Sequence, residues 1–199
     1  MKGIGWPTLA GFARVGLAEL AEGGSMNVRC VITGHDAAGK SVVARDEQVQ
    51  PITISGLGME FHRVWGSDEH AAVPCDGKAA IPPSYFPAGD GYRFGFFTVP
   101  PESGALSPAD LPAIFMEIQQ KLPGMAETLD LAHPGMHTTQ TVDFDVVLSG
   151  EVWLELDDGK EVLLKAGDCV VQNGTRHAWH NRSKEKCVIA VCLLGAKRR

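Results

Sequence analysis

From Thr141 to Leu194 four glycines, at positions 150, 159, 167 and 174, cut the chain into short runs in which apolar and polar residues alternate. Alternation of period two turns one face of an extended strand to a core and the other to solvent, a pattern that a helix cannot use. In GEVWLELDDGKEVLLKAGD (150–168), Val152, Leu154 and Leu156 alternate with Glu151, Trp153 and Glu155. Asp158-Gly159 supplies the residue pair that tolerates positive φ, so this segment predicts a β-hairpin. A second turn at Lys165-Ala166-Gly167 leads into DCVVQ and NGTRHAWHN, then into KCVIAVCLL (186–194), an apolar run that reads as a strand covered on both faces. Many short strands divided by glycine turns predict an all-β sandwich or barrel.

The upstream half is looser. NVRCVIT (27–33), FHRVW (61–65) and YRFGFFTV (92–99) are rich in the β-branched and aromatic residues that suit a pleated surface, and GHDAAGKS (34–41) is turn-rich. VPCDGKAAIPPSYFPAGDG (73–91) predicts a loop, or extended chain wrapped around a core. One helix is expected within 107–124, with Ser107 as N-cap, Pro108 at the first helical position and Asp110 in the first turn. Pro112 complicates that start and makes Asp110 the alternative cap. Leu111, Ile114, Phe115, Ile118 and Leu122 form its apolar stripe, and Pro123-Gly124 ends it. Residues 1–25 are expected as an N-terminal extension, helical along Leu9, Phe12, Ala13, Leu17 and Leu20, or only partly ordered. Residues 26–199 are expected as a single domain whose core lies at about 130–195.

Composition narrows the function classes. A 44% hydrophobic and 21% charged chain is that of a folded globular protein. A net charge of −6 argues against nucleic-acid or anionic-membrane partners, which need a basic surface. The five cysteines, Cys30, Cys75, Cys169, Cys187 and Cys192, include no C-x-x-C pair, and all but Cys75 sit in strand-like apolar runs. That usage predicts free thiols and a reducing, cytoplasmic location. No P-loop and no G-x-G-x-x-G after a strand appear, so no nucleotide cofactor is expected. No G-x-S-x-G elbow points to a serine nucleophile.

The chemistry concentrates in GMHTTQTVDFDVVLSG (135–150), where His137, Thr139, Thr141 and Asp143 fall on one face of a strand. Gly167, Gly174, His177 and Asn181 follow, with Trp179 sharing the parity of His177. These residues, over the 60 positions from Gly135 to Leu194, resemble the cupins. The two-part cupin signature is G-x5-H-x-H-x(3,4)-E-x6-G and G-x5-P-x-G-x2-H-x3-N. His137 stands at the first histidine, Thr139 at the second, Asp143 at the glutamate and Gly150 at the closing glycine. Gly167, Gly174, His177 and Asn181 match the second part, while Gln172 replaces its proline and the loop before it is one residue short. Leu131 stands where the leading glycine belongs.

The resemblance implies a cupin-type jelly-roll β-barrel with an N-terminal strand extension and one or two short helices. It also implies a divalent metal (Fe, Mn, Zn or Ni) on His137, Asp143 and His177, a two-imidazole, one-carboxylate set that leaves coordination positions open. Asp143 reaches about 1.5 Å less far than a glutamate. The other reading of the same residues is a metal-free polar pocket in which Thr139, Thr141 and Asp143 supply hydrogen bonds to the histidines. Either way His137, Asp143 and His177 are the candidate catalytic residues, and Thr139, Thr141 and Trp179 the candidate pocket wall. The expected activity is dioxygenation, decarboxylation, isomerisation or dehydration of a small oxygenated acid or aromatic, with homodimerisation; the alternative is a non-catalytic ligand-binding barrel.

Overall fold

The computed structural model describes residues 26–102, 107 and 109–197. The expected helix over residues 1–25 and Pro108 lie outside them. The strands are β1 (Val28–His35), β2 (Ser41–Val49), β3 (Ile52–Ile54), β4 (Met59–Ser67), β5 (Tyr92–Val99), β6 (Thr141–Ser149), β7 (Glu151–Glu155), β8 (Glu161–Lys165), β9 (Cys169–Asn173), β10 (Ala178–His180) and β11 (Cys187–Gly195). Helix α1 (Leu111–Lys121) sits between β5 and β6. Every pairing is antiparallel.

Strands in the order β3-β4-β5-β11-β6-β9 form a six-stranded sheet, and β10-β7-β8 form a three-stranded one. Val147, Ile189, Phe97 and Phe61 from the larger sheet pack with Val152, Leu154 and Leu164 from the smaller. Each fully buried aliphatic in that layer stabilises the fold by about 1.5–3 kcal/mol. The two sheets are not hydrogen-bonded into a closed barrel, and the arrangement is the all-β jelly-roll that the resemblance implies. Central β11 is buried along Cys187–Ile189 on both faces, because its neighbours β5 and β6 flank it and the core and loops cover it.

The 150–168 segment folds as the expected hairpin, with Asp158 at φ 60° and Gly159 at φ 67° in the turn. Gly150 also has positive φ, 73°, and a Cβ there would stand 2.7 Å from the Lys186 carbonyl oxygen, so the closing glycine answers both to conformation and to space. Helix α1 starts at Leu111 with Asp110 as N-cap, so the alternative start replaces the one at Ser107. Ile114, Ile118 and Leu122 bury as expected, whereas Leu111, on the first turn, is exposed.

Strand β2 was not expected. Its sequence, SVVARDEQV, lacks a regular alternation because the β1–β2 ribbon pairs with no third strand among the described residues and is exposed along much of both faces. Residues 73–91 form no helix or strand and run along the molecule as extended chain. One end is pressed on the ribbon, where the His35 amide donates to the Cys75 carbonyl at 2.9 Å. The other end is tied by two guanidinium groups: Arg63 donates to the carbonyls of Pro82, Pro83 and Ser84, and Arg93 to those of Ser67 and Ser84.

Candidate active site

Strand β6 alternates as the sequence requires. Thr141, Asp143, Asp145 and Val147 are buried, while Phe144 is 44% exposed on the outer face. Thr139, just before the strand, is also buried, and the Thr141 hydroxyl donates to the Thr139 hydroxyl at 2.8 Å. His137 precedes them in a short bridge to His177, each backbone N–H donating to the other's carbonyl at 2.9 and 3.0 Å. That bridge sets the two imidazoles side by side, ring centroids 4.1 Å apart and planes inclined at 52°. His177 is buried and His137 half-buried.

The hydrogen bonds fix the tautomers. His137 Nδ1 lies 3.1 Å from the Gly135 carbonyl, and His177 Nδ1 lies 2.9 Å from the Thr175 carbonyl. A carbonyl only accepts, so each Nδ1 carries the proton and each Nε2 is a bare lone pair. Burial holds the His177 imidazolium pKa down at about 4, with the neighbouring His137 lowering it further. Burial also lowers that of His137. Both rings are therefore neutral near pH 7.

Asp143 and Asp145 answer to burial in the opposite sense. Burial raises the Asp143 carboxyl to about 6, partly offset by the Thr141 hydroxyl. Burial raises Asp145 to about 7, and the charge of Asp143 adds to that rise. Sequence reasoning stopped at Asp143, although the same step of two runs on to Asp145 in VDFDV. Gln172 is likewise buried on the inward face of β9, directly across from Asp143 in the β6–β9 register. It entered the motif comparison only as a replaced proline.

Trp179 stands edge-on to His177, ring centroids 5.7 Å apart, and packs on Phe97 at 6.1 Å, so it is at once a wall of the site and part of the core. His180, of opposite parity, points away and bonds Glu102 and Glu155. At the rim Arg176 links Asp130 and Asp157, with His133 on Asp130. Asn181, the last motif residue, is wholly buried but donates to the carbonyls of Val99 and Glu185, away from the imidazoles.

The donor set bears on the implied metal. The two Nε2 lone pairs suit an ion, but among the described residues no group of three His, Cys, Asp or Glu side chains gathers at one point to hold one. Asp143 does not join the two imidazoles in such a cluster, and Thr139 supplies a hydroxyl where a third imidazole would stand. The residues present do not fit the three-donor centre that the resemblance implies.

Residues 129–193 match the family model described as a cupin domain. Among curated proteins, the chain is 52% identical over 65 residues to Oryzines biosynthesis cluster protein J of Aspergillus oryzae, which is 31% of this chain and 36% of that protein. It is 54% identical over 48 residues to Phomopsin biosynthesis cluster protein C' of Diaporthe leptostromiformis, 24% of this chain and 25% of that one. It is 39% identical over 46 residues to the cupin-domain-containing oxidoreductase virC of Hypocrea virens, 23% of this chain and 24% of that one. The matches thus span about a third or less of those relatives' own lengths. Among solved structures, the ethanolamine utilization protein q of Salmonella typhimurium aligns over 87% of this chain and 100% of its own, with 11% identity and a TM-score of 0.42. The Cnp3 cupin domain of Schizosaccharomyces pombe aligns over 86% of this chain and 88% of its own, with 10% identity and a TM-score of 0.43. Over residues 129–193 the chain is thus similar to the cupin domain.

Proposed function

We propose that this protein is a small-molecule enzyme that moves protons, isomerising or dehydrating a small oxygenated acid or aromatic metabolite without a bound metal. What carries this reading is the imidazole pair: two rings 4.1 Å apart, both held by Nδ1–H on a backbone carbonyl and both offering a bare Nε2. One neutral imidazole removes a proton from a carbon made acidic by an adjacent carbonyl, and the imidazolium so formed returns that same proton at the next atom while the neighbouring ring stays neutral. Burial excludes water that would otherwise compete for those lone pairs. The names of two relatives, drawn from biosynthesis clusters, agree with a small-molecule role.

The test is deuterium exchange, followed by proton NMR in heavy water, on a panel of small enolisable oxo acids and hydroxy-ketones, run with and without EDTA. Exchange is expected at the carbon next to the carbonyl, unchanged by EDTA. His177→Ala is expected to slow it on the order of 10²-fold, the low end for a lost base because His137 remains beside the gap. Exchange abolished by EDTA would sink the metal-free reading. The second reading, a non-catalytic ligand-binding cupin, is favoured by Thr139 in the place of a ligand histidine. It is the outcome if no compound exchanges faster with the protein than with the His137→Ala/His177→Ala double variant.

A further inference from the structure

Two of the places where this chain departs from the cupin signature meet in space. Asp143 stands for the glutamate and Gln172 for the proline, 29 positions apart in sequence, yet they are direct cross-strand partners in the β6–β9 ladder. Both side chains are on the inward face, 5% and 4% exposed. Directly opposed residues on one face of an antiparallel pair have Cβ atoms about 4.5–5.5 Å apart. Both carry a buried polar atom with no partner in the protein: Asp143 Oδ1 and Gln172 Nε2.

A buried polar atom left unpaired is costly, and native folds rarely keep two as neighbours. The orientation of Gln172 is set from the other side, since the Thr175 hydroxyl donates to Gln172 Oε1 at 2.6 Å and so leaves the amide nitrogen as the free end. The site therefore presents one acceptor, Asp143 Oδ1, next to one donor, Gln172 Nε2–H. Its complement is a donor next to an acceptor on a single ligand edge.

We propose that Asp143 and Gln172 form a two-point recognition edge for a ligand carrying an N–H beside a carbonyl, as in a lactam or a primary amide. The ligand N–H donates to Asp143 Oδ1, and its carbonyl accepts from Gln172 Nε2. The proline in the signature has no side-chain donor, so the substitution of Gln172 creates half of this edge. The location of the edge, beside the imidazole pair, rests on the site proposed above; its recognition chemistry does not depend on which reaction follows.

The probe is 2-pyridone, whose N–H and carbonyl share one edge, against N-methyl-2-pyridone, which lacks the donor. Binding is read by ligand-observed NMR at pH 8 in the presence of EDTA. Wild-type protein is expected to bind 2-pyridone at least tenfold more tightly than its N-methyl analogue, Asp143→Ala to lose that preference, and Gln172→Leu to weaken 2-pyridone binding about tenfold. Gln172→Glu replaces the donor by an acceptor, so it is expected to prefer benzamidine, whose amidinium offers two N–H groups on one edge at pH 8. Binding of 2-pyridone is read without any reaction taking place, which separates this edge from the proton-transfer reading. Equal binding of the two pyridones, binding of neither, an unchanged preference in folded Asp143→Ala, or unchanged 2-pyridone affinity in folded Gln172→Leu would each overturn the proposal, whatever the exchange experiment gives.

Discussion

Asp145→Asn is expected to stabilise the protein at pH 8 and to leave its stability nearly unchanged at pH 4. Asp145 is 4% exposed, and burial is the main cause that lifts its carboxyl. Its carboxyl titrates at about 7 in the fold, against 3.8 for the free group. Below 3.8 both folded and unfolded chains hold the proton, and the group favours neither. Between 3.8 and 7 the unfolded chain releases it while the folded chain keeps it, so the unfolded state binds fewer protons and stability falls as pH rises. Above 7 the loss is complete. At about 1.4 kcal/mol per pH unit the full effect would be about 4 kcal/mol, and the substitution relieves the repulsion from Asp143 together with the burial cost.

His177 pulls the other way, since its folded value of about 4 lies below the ordinary 6.5 and its contribution is lost on acidification. That term is common to both proteins and cancels in the difference. The other groups that sense this carboxylate are Asp143, one step back on β6, and Tyr85, whose phenol is raised by burial and further by both aspartates. Urea midpoints at pH 4 and pH 8 check the expectation. A wild-type to variant difference that does not change with pH would show that Asp145 is ionised in the fold and partnered.

The sequence carried the local chemistry of the fold and little of its long-range register. Asp158-Gly159 predicted its hairpin because the turn's backbone needs are written in two adjacent residues. β5 emerged over 92–99 as read, since aromatic and β-branched side chains mark a strand packed on one face. β2 escaped because a ribbon exposed on both faces has no apolar period to display. The site divides in the same way. The step of two along this segment puts Thr139, Thr141 and Asp143 on one face, and Asp145 continues that face within an apolar run whose pattern signals packing. The cross-strand meeting of Asp143 with Gln172 depends on a register between β6 and β9, and the 4.1 Å approach of the imidazoles on a bridge between chain segments 40 residues apart. No spacing within either segment encodes such a distance. The missing third metal donor was visible as Thr139, but whether another carboxylate would move in to replace it was a question of three-dimensional placement.

Asn181→Ala is expected to cost about 4 kcal/mol and to lower the melting temperature by on the order of 10 °C. Its side chain is wholly buried and fully used. Nδ2 donates to the Val99 and Glu185 carbonyls, both at 2.7 Å, and Oδ1 accepts from the Ser183 amide at 2.9 Å and the Ser183 hydroxyl at 2.7 Å. The residue thereby closes the 181–185 turn and pins it to the end of β5, so that β11 enters the large sheet in register. Alanine strips this partner from the buried Val99 carbonyl and the part-buried Ser183 N–H, leaves the Glu185 carbonyl with only the Ser183 hydroxyl, and each group left unpaired costs about 1–3 kcal/mol. Asn181→Asp is expected to be no better, since a carboxylate keeps the bonds from Ser183 but sets a negative charge against two carbonyl oxygens. Ser183→Ala, which removes a hydroxyl partly exposed to solvent, is expected to cost only about 1 kcal/mol. Calorimetric unfolding of the three variants orders them. Because Asn181 makes no contact with either imidazole, proton exchange per folded molecule is expected to survive in Asn181→Ala below its melting temperature. A variant that melts like wild type yet no longer exchanges would instead place this side chain in the chemistry, and the signature's asparagine would have to be read as part of the site and not of its frame.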